Sequence, residues 1–368
     1  MVDRSSYLLH KRSAPLHVGP LRARISPKRG RTASLPLPLT PKEQLDVIFW
    51  LMNVSSSVCI ILINKQLLGT QGHGFTFATS LCAMHYFVTT AWTWVQSRYL
   101  APAQGSGKGK ASGGGTIGWR DLAIFTAVAD LSIISLNTSL QVNPVPFYQI
   151  AKLGIIPCTC AVESLWLGKV LSREMGAALV VVMTGVAIVT VTELSLATSA
   201  FGALIALSST VCSAMQQILC GYYQRKNAMT GSELLRRVAP LQGISMAVVA
   251  PFIDLSFTGK WLFSYAWTGP AMFCLLGSCF FAVMVNVSQF LCLGRFSAVS
   301  YQVVGHAKTI LVLLLGWGFF GGIISKAQAL GIALAVGGMV WYGRSSRRAN
   351  EAAKVLPTTR HVNGAGKV

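Results

Sequence analysis

Residues 297–320 read SAVSYQVVGHAKTILVLLLGWGFF, and Lys308 is the sole Lys, Arg, Asp or Glu in the run. About 20 apolar residues wound as a helix cross the ~30 Å hydrocarbon core of a bilayer. A lysine near the middle of such a run costs about 2.5–3.5 kcal/mol, so it belongs in a bundle interior and marks function. Residues 145–167, VPFYQIAKLGIIPCTCAVESLWL, repeat the arrangement. Tyr148-Gln149 precedes Lys152 there, as Tyr301-Gln302 precedes Lys308.

Outward from these two runs the pattern continues. Apolar stretches of spanning length fall at 46–68, 75–96, 121–140, 145–167, 175–194, 200–223, 234–253, 269–293, 297–320 and 327–343. Apolar residues make up 52% of the 368-residue chain and charged residues 11%, with a mean hydropathy of +0.55. Soluble chains carry roughly 25% charged residues. The net charge of +20 would suggest nucleic acid, but the basic residues sit in tails and connectors, which excludes a soluble nucleic-acid binder. The nine cysteines lie in apolar stretches without a C-x-x-C, so neither a disulfide scaffold nor a zinc site is expected.

Charge placement tests the count of ten. With the amino terminus in the cytosol and the sides alternating, 26 of the 31 Lys and Arg are cytosolic. Lys260 and Lys326 fall on the other side, and Lys65, Lys152 and Lys308 lie inside spans. The positive-inside rule demands this asymmetry. The expected fold is an all-α membrane protein of ten transmembrane helices, with both termini cytosolic. Residues 1–45 form a basic tail, 46–343 the helical domain and 344–368 a second basic tail. The first tail reads either as a disordered arm near anionic lipid or as an Arg-rich organelle transit peptide.

Five spans per half force the halves into opposite orientations, as in the inverted repeats of secondary transporters. Repeat one covers 46–194 and repeat two 200–343. Asn137-Thr138-Ser139 and Asn286-Val287-Ser288 occupy the third span of each repeat, and the Tyr-Gln…Lys pattern the fourth. Asn53, Asn137 and Asn286 match glycosylation acceptors formally, but each lies within a span. Their amides are expected to bond across helices.

Lys152 and Lys308 suit a substrate with two negative phosphates, since an ammonium meets phosphate as a point charge. Tyr148 lies four residues before Lys152 and Tyr301 seven before Lys308, so each pair shares a helical face. Gln149 and Gln302 add polar orienters, and Lys65 is a third, more peripheral cation able to snorkel. The competing reading pairs each lysine with a buried carboxylate: Asp130, Glu163 or Glu193. His85 and His306 lack metal-ligand spacing and read as core hydrogen bonders, and Gly331, Gly337 and Gly338 as allowing close helix packing. No P-loop, G-x-S-x-G, H-E-x-x-H or magnesium-binding acidic cluster occurs, so no enzyme, cofactor or metal is expected.

At these residues the chain resembles the triose-phosphate translocator/nucleotide-sugar transporter family of the drug/metabolite transporter superfamily. The resemblance rests on Asn64-Lys65, on Asn137-Thr-Ser-Leu140, on Phe147-Tyr-Gln-Ile-Ala-Lys152, on Gln216-Gln217 and on Tyr301-Gln-Val-Val-Gly-His-Ala-Lys308-Thr309. Lys308-Thr309 is similar to the Lys-Thr type of UDP-sugar carrier, whereas plastid phosphate translocators place Lys-Arg there. The GALNK-type motif of GDP-mannose carriers is missing. The resemblance implies ten helices and an antiporter in the Golgi or endoplasmic-reticulum membrane. It would exchange a cytosolic nucleotide sugar for a lumenal nucleoside monophosphate, with Thr309 beside the phosphates. A homodimer is left open. The alternatives are a plastid-envelope phosphate or phosphoenolpyruvate antiporter and a non-transporting membrane scaffold or sensor.

Overall fold

The computed structural model describes residues 40–69, 72–100, 115–169, 171–190, 199–320 and 325–355; most of both basic tails and Glu193 lie outside them. The described residues form α1 (Pro41–Leu68), α2 (Ala78–Val95), α3 (Trp119–Val142), α4 (Val145–Leu153), α5 (Ile155–Leu167), α6 (Arg173–Thr190), α7 (Ala200–Lys226), α8 (Gly231–Thr258), α9 (Gly269–Arg295), α10 (Ala298–Phe320) and α11 (Lys326–Val355). No strand occurs among them. Among the described residues, each apolar run falls mainly on helix. Six segments among the described residues are long and apolar enough to cross a membrane: Pro41–Leu68, Trp119–Val142, Ile150–Leu167, Ala200–Lys226, Gly231–Thr258 and Gly269–Arg295.

Local chemistry sets the helix ends. Thr230 and Glu233 form a reciprocal capping box at the start of α8, and Ser199 and Thr268 cap α7 and α9. Gly168 and Gly259 end α5 and α8 at φ of 63° and 65°, the left-handed region that glycine enters without a Cβ clash. The fourth apolar run, expected as one span, is broken at Gly154. Pro157 explains the break: it has no N–H for the Leu153 carbonyl, and its ring crowds the preceding turn. Thr210 of α7 donates at 2.9 Å to the Ala151 carbonyl beside the break. At the other end of the chain, α11 runs beyond the apolar run as far as Val355. Ala, Arg and Glu there favour helix.

The four broadest interfaces are α6–α11, α2–α8, α3–α7 and α1–α9. Each joins a helix of the first sequence half to one of the second, so the halves interleave. Small residues let α6 and α11 approach closely: a Cβ on Gly185 would sit 2.4 Å from the Ala335 nitrogen, and one on Gly338 2.8 Å from Val182. Gly331 is equally confined. Gly337 is not, because it faces open space, and the packing role expected of it does not hold.

Polar side chains join helices as expected for a medium without water. Asn53 donates to Ser288 Oγ at 2.8 Å, Asn286 to Thr89 Oγ1 at 3.0 Å and Asn137 to Cys82 Sγ at 3.6 Å. His85 Nε2 lies 2.8 Å from Ser278 Oγ, which donates to Asn64. Ion pairs lie at helix ends: Lys226 with Asp121, Arg295 with Asp46 and Lys169 with Glu163. By the charge count all three are on the side of the basic loops.

Candidate functional site

α10 sits among α1, α5, α6, α7, α9 and α11, and it carries one of the two lysines. Lys308 is half-buried, with its Nζ 5.3 Å from the centroid of the Tyr301 ring. The seven-residue spacing therefore does bring cation and aromatic together. Tyr301 is buried in the largest apolar cluster and stacked on Trp50 at 6.0 Å, with Phe296 packed against Trp50 at 4.9 Å. Asn53, through its bond to Ser288, stands beside the Tyr301 hydroxyl. Gln302 is buried and Thr309 half-buried on the same helix.

Lys152 lies in the last turn of α4, just before the break, and its side chain is exposed. It is near enough to Lys308 and His306 for its charge to act on both. Tyr148 is half-buried one turn earlier. The side chain of Gln149 lies outside the described residues. Lys65 is exposed at the end of α1, away from the α4–α10 grouping in sequence and helix.

Two of the three carboxylates proposed as partners for the lysines are engaged elsewhere, and the third, Glu193, lies outside the described residues. Glu163 pairs with Lys169 at 2.9 Å, and Asp130 meets Ser245 and Gln242 of α8. Among the described residues, neither Lys152 nor Lys308 bonds to a carboxylate. Lys308 carries its charge in a half-buried setting, and the like charge of the exposed Lys152 acts on it, which is costly. A cation–π contact returns about 0.5–2 kcal/mol for Lys308 and nothing for the repulsion. An anion between the amines would supply what is missing.

His306 departs from the expected satisfied core histidine. It is buried two residues before Lys308, and its Nε2 has no hydrogen-bond partner among the described residues. Gln217 of α7 is likewise buried with an unpartnered Oε1. Both belong to the runs that carry the resemblance, and that is the signal by which they could have been chosen. A cavity of about 510 Å³ opens at the helix ends, lined by Glu163, Lys169, Arg295, Ser300 and Tyr342 among others. Neither lysine lines it. Ser300, at its inner edge, is adjacent to Tyr301.

Residues 44–343 match the Triose-phosphate Transporter family. The chain belongs to that family. As a family member it is a membrane transporter, not an enzyme. It is 40% identical over 322 residues to UDP-rhamnose/UDP-galactose transporter 2 of Arabidopsis thaliana, covering 87% of this chain and 89% of that one. UDP-rhamnose/UDP-galactose transporter 1 of the same plant is 41% identical over 81% of this chain and 82% of its own length. UDP-xylose transporter 2 is 35% identical over 83% and 84%. These relatives place the transporter in the nucleotide-sugar branch of the family. A solved crystal structure superposes with a TM-score of 0.62 at 14% identity, covering 83% of this chain and 99% of that one. At that identity it supports the fold alone.

Proposed function

We propose that this transporter exchanges a cytosolic UDP-sugar for lumenal UMP across the Golgi membrane, as ten spans in two inverted repeats with both termini cytosolic. One observation carries the reading. Lys152 of the first half and Lys308 of the second act on each other electrostatically, and no carboxylate neutralises either among the described residues. A diphosphate brings two negative charges to two ammonium groups, which releases their mutual repulsion and repays their desolvation. Tyr301 and Tyr148 border the two cations, and Gln302, Gln149 and Thr309 supply hydrogen bonds to the anion or the sugar. Lys65 serves as an outlying cation on the approach.

The packing supports the repeat. With α4 and α5 taken as one unit, exchanging the two halves carries α3–α7 onto α1–α9 and leaves α2–α8 and α6–α11 on themselves. It also carries the α1–α10 contact onto that of α7 with α4 and α5. The named relatives support a uridine nucleotide over the plastid phosphates, and galactose or rhamnose as the sugar ahead of xylose. The sequence carries no ATPase motif, which leaves a gradient or exchange to drive movement.

The test is a panel of nucleotide sugars offered to proteoliposomes with and without preloaded UMP. UDP-galactose or UDP-rhamnose should enter UMP-loaded vesicles and not empty ones, with GDP-mannose excluded. Equal uptake into empty and loaded vesicles would contradict exchange, and no uptake of any UDP-sugar would contradict the substrate class.

A further inference from the structure

Two buried aspartates sit within the helical bundle in opposite circumstances. Asp254 of α8 takes the Thr79 N–H at 3.1 Å and the Ser80 N–H at 2.7 Å. It thereby caps α2 at the positive end of its dipole. Asp130 of α3 is buried as well, but no helix terminus, lysine, arginine or histidine bonds to it among the described residues. Gln242 Nε2 approaches one oxygen at a long 3.4 Å, and Ser245 Oγ lies 2.5 Å from the other.

The hydroxyl of Ser245 has a second claim on its one hydrogen: the Leu241 carbonyl, one turn back, is 2.7 Å away. Carboxylates and carbonyls only accept. An ionised Asp130 would be a buried charge met by one close hydroxyl and one distant amide, with no cation bonded to it among the described residues, inside a medium that penalises an unsatisfied charge. A protonated Asp130 removes that charge. Its O–H donates to Ser245 Oγ, and Ser245 donates to Leu241.

The surroundings agree. From α2, the titratable group near enough to interact with Asp130 is Tyr86, which is not a cation. Ser213 of α7 pairs with Ser132, on the opposite face of α3, at 2.8 Å. From α8 only Gln242 and Ser245 reach it. Lys152, the charged residue of α4, acts on Lys308 and His306 instead.

We propose that Asp130 is a proton-binding site. It is a neutral carboxylic acid at the seam between α3 and α8, and this proton fixes the contact between a helix of one half and a helix of the other. When the seam opens to water, the O–H bond breaks, the proton passes to solvent and the carboxylate is left hydrated. Resting on the exchange reading above, a transport step that parts α3 from α8 is then sensitive to pH. The protonation itself does not depend on that reading.

Infrared difference spectra of the full chain in lipid nanodiscs, wild type against Asp130→Asn, test it at neutral pH. The expected result is a carboxylic-acid carbonyl band equivalent to one group per chain, absent from Asp130→Asn. In a second variant, Ser245→Ala, the band should persist at a shifted frequency. Melting of the wild type should move to lower temperature as pH rises, while Asp130→Asn, neutral at every pH, stays flat over that range. If Asp130→Asn does not fold, the Ser245→Ala shift and the wild-type band decide. Absence of the band from the wild type, or insensitivity of the band to Ser245→Ala, overturns the proposal. Loss of UDP-sugar exchange with the band intact would count against the transport reading and not against the proton.

Discussion

The runs 145–167 and 297–320 carry one signature, Tyr-Gln followed by Lys, and the fold treats them differently. In α10 the helix is unbroken, Tyr301 is packed into the core on Trp50, and Lys308 is half-buried over the Tyr301 ring. In the first half the helix is interrupted by one turn residue, Gly154, Tyr148 is half-buried, and Lys152 projects exposed from the last turn of α4. Equivalent letters have become a half-buried cation held over an aromatic ring in one half and an exposed cation in the other.

The difference can be broken by mutation, and the largest effect is expected at the half-buried amine. Lys308→Ala should reduce UDP-sugar exchange by 100-fold or more, in line with the ~2–5 kcal/mol lost when a desolvated charge partner is removed. Lys152→Ala should reduce it by about 10- to 100-fold, since an exposed charge is partly screened. Arginine sharpens the contrast. Lys152→Arg has room and should keep a measurable share of activity, whereas Lys308→Arg must fit a bulkier fork over Tyr301 and should not. Initial exchange rates in proteoliposomes, normalised to folded protein, check all four.

Stability should divide the tyrosines. Tyr301→Ala removes a core aromatic and is expected to cost about 3–5 kcal/mol, against less than about 1 kcal/mol for Tyr148→Ala. Melting curves in nanodiscs compare the two. The smallest effect is expected from Pro157→Ala, which supplies the missing N–H to the Leu153 carbonyl and joins α4 to α5. It should raise the melting temperature slightly while slowing exchange by less than tenfold, because Lys152 loses its place at a helix break. Faster exchange would argue that the break has no part in handling substrate.

Much of this was legible before any coordinates. Hydropathy runs locate the helices because a bilayer leaves no other way to satisfy the backbone. The three asparagines bond across helices because nothing else in that medium can serve them. The spacing of Tyr301 and Lys308 foretold their contact. The break at Gly154 was written in Pro157, but hydropathy alone reads through a proline. The extension of α11 was hidden because its last turns are polar, and an apolar window ends where helix propensity does not. The state of His306 and the partners of Asp130 and Glu163 depend on which helices face each other. One sequence does not disclose that: Glu163, a candidate counterion for either of the two lysines, belongs to Lys169, six residues on.

Binding of UDP-galactose to the purified chain, followed by calorimetry for the wild type, Lys152→Ala and Lys308→Ala with uridine as the uncharged control, tests the two-lysine grip most directly. Each substitution should weaken UDP-galactose at least tenfold, Lys308→Ala more than Lys152→Ala, and leave the weak binding of uridine unchanged. Wild-type affinity for UDP-galactose in either folded variant would contradict it.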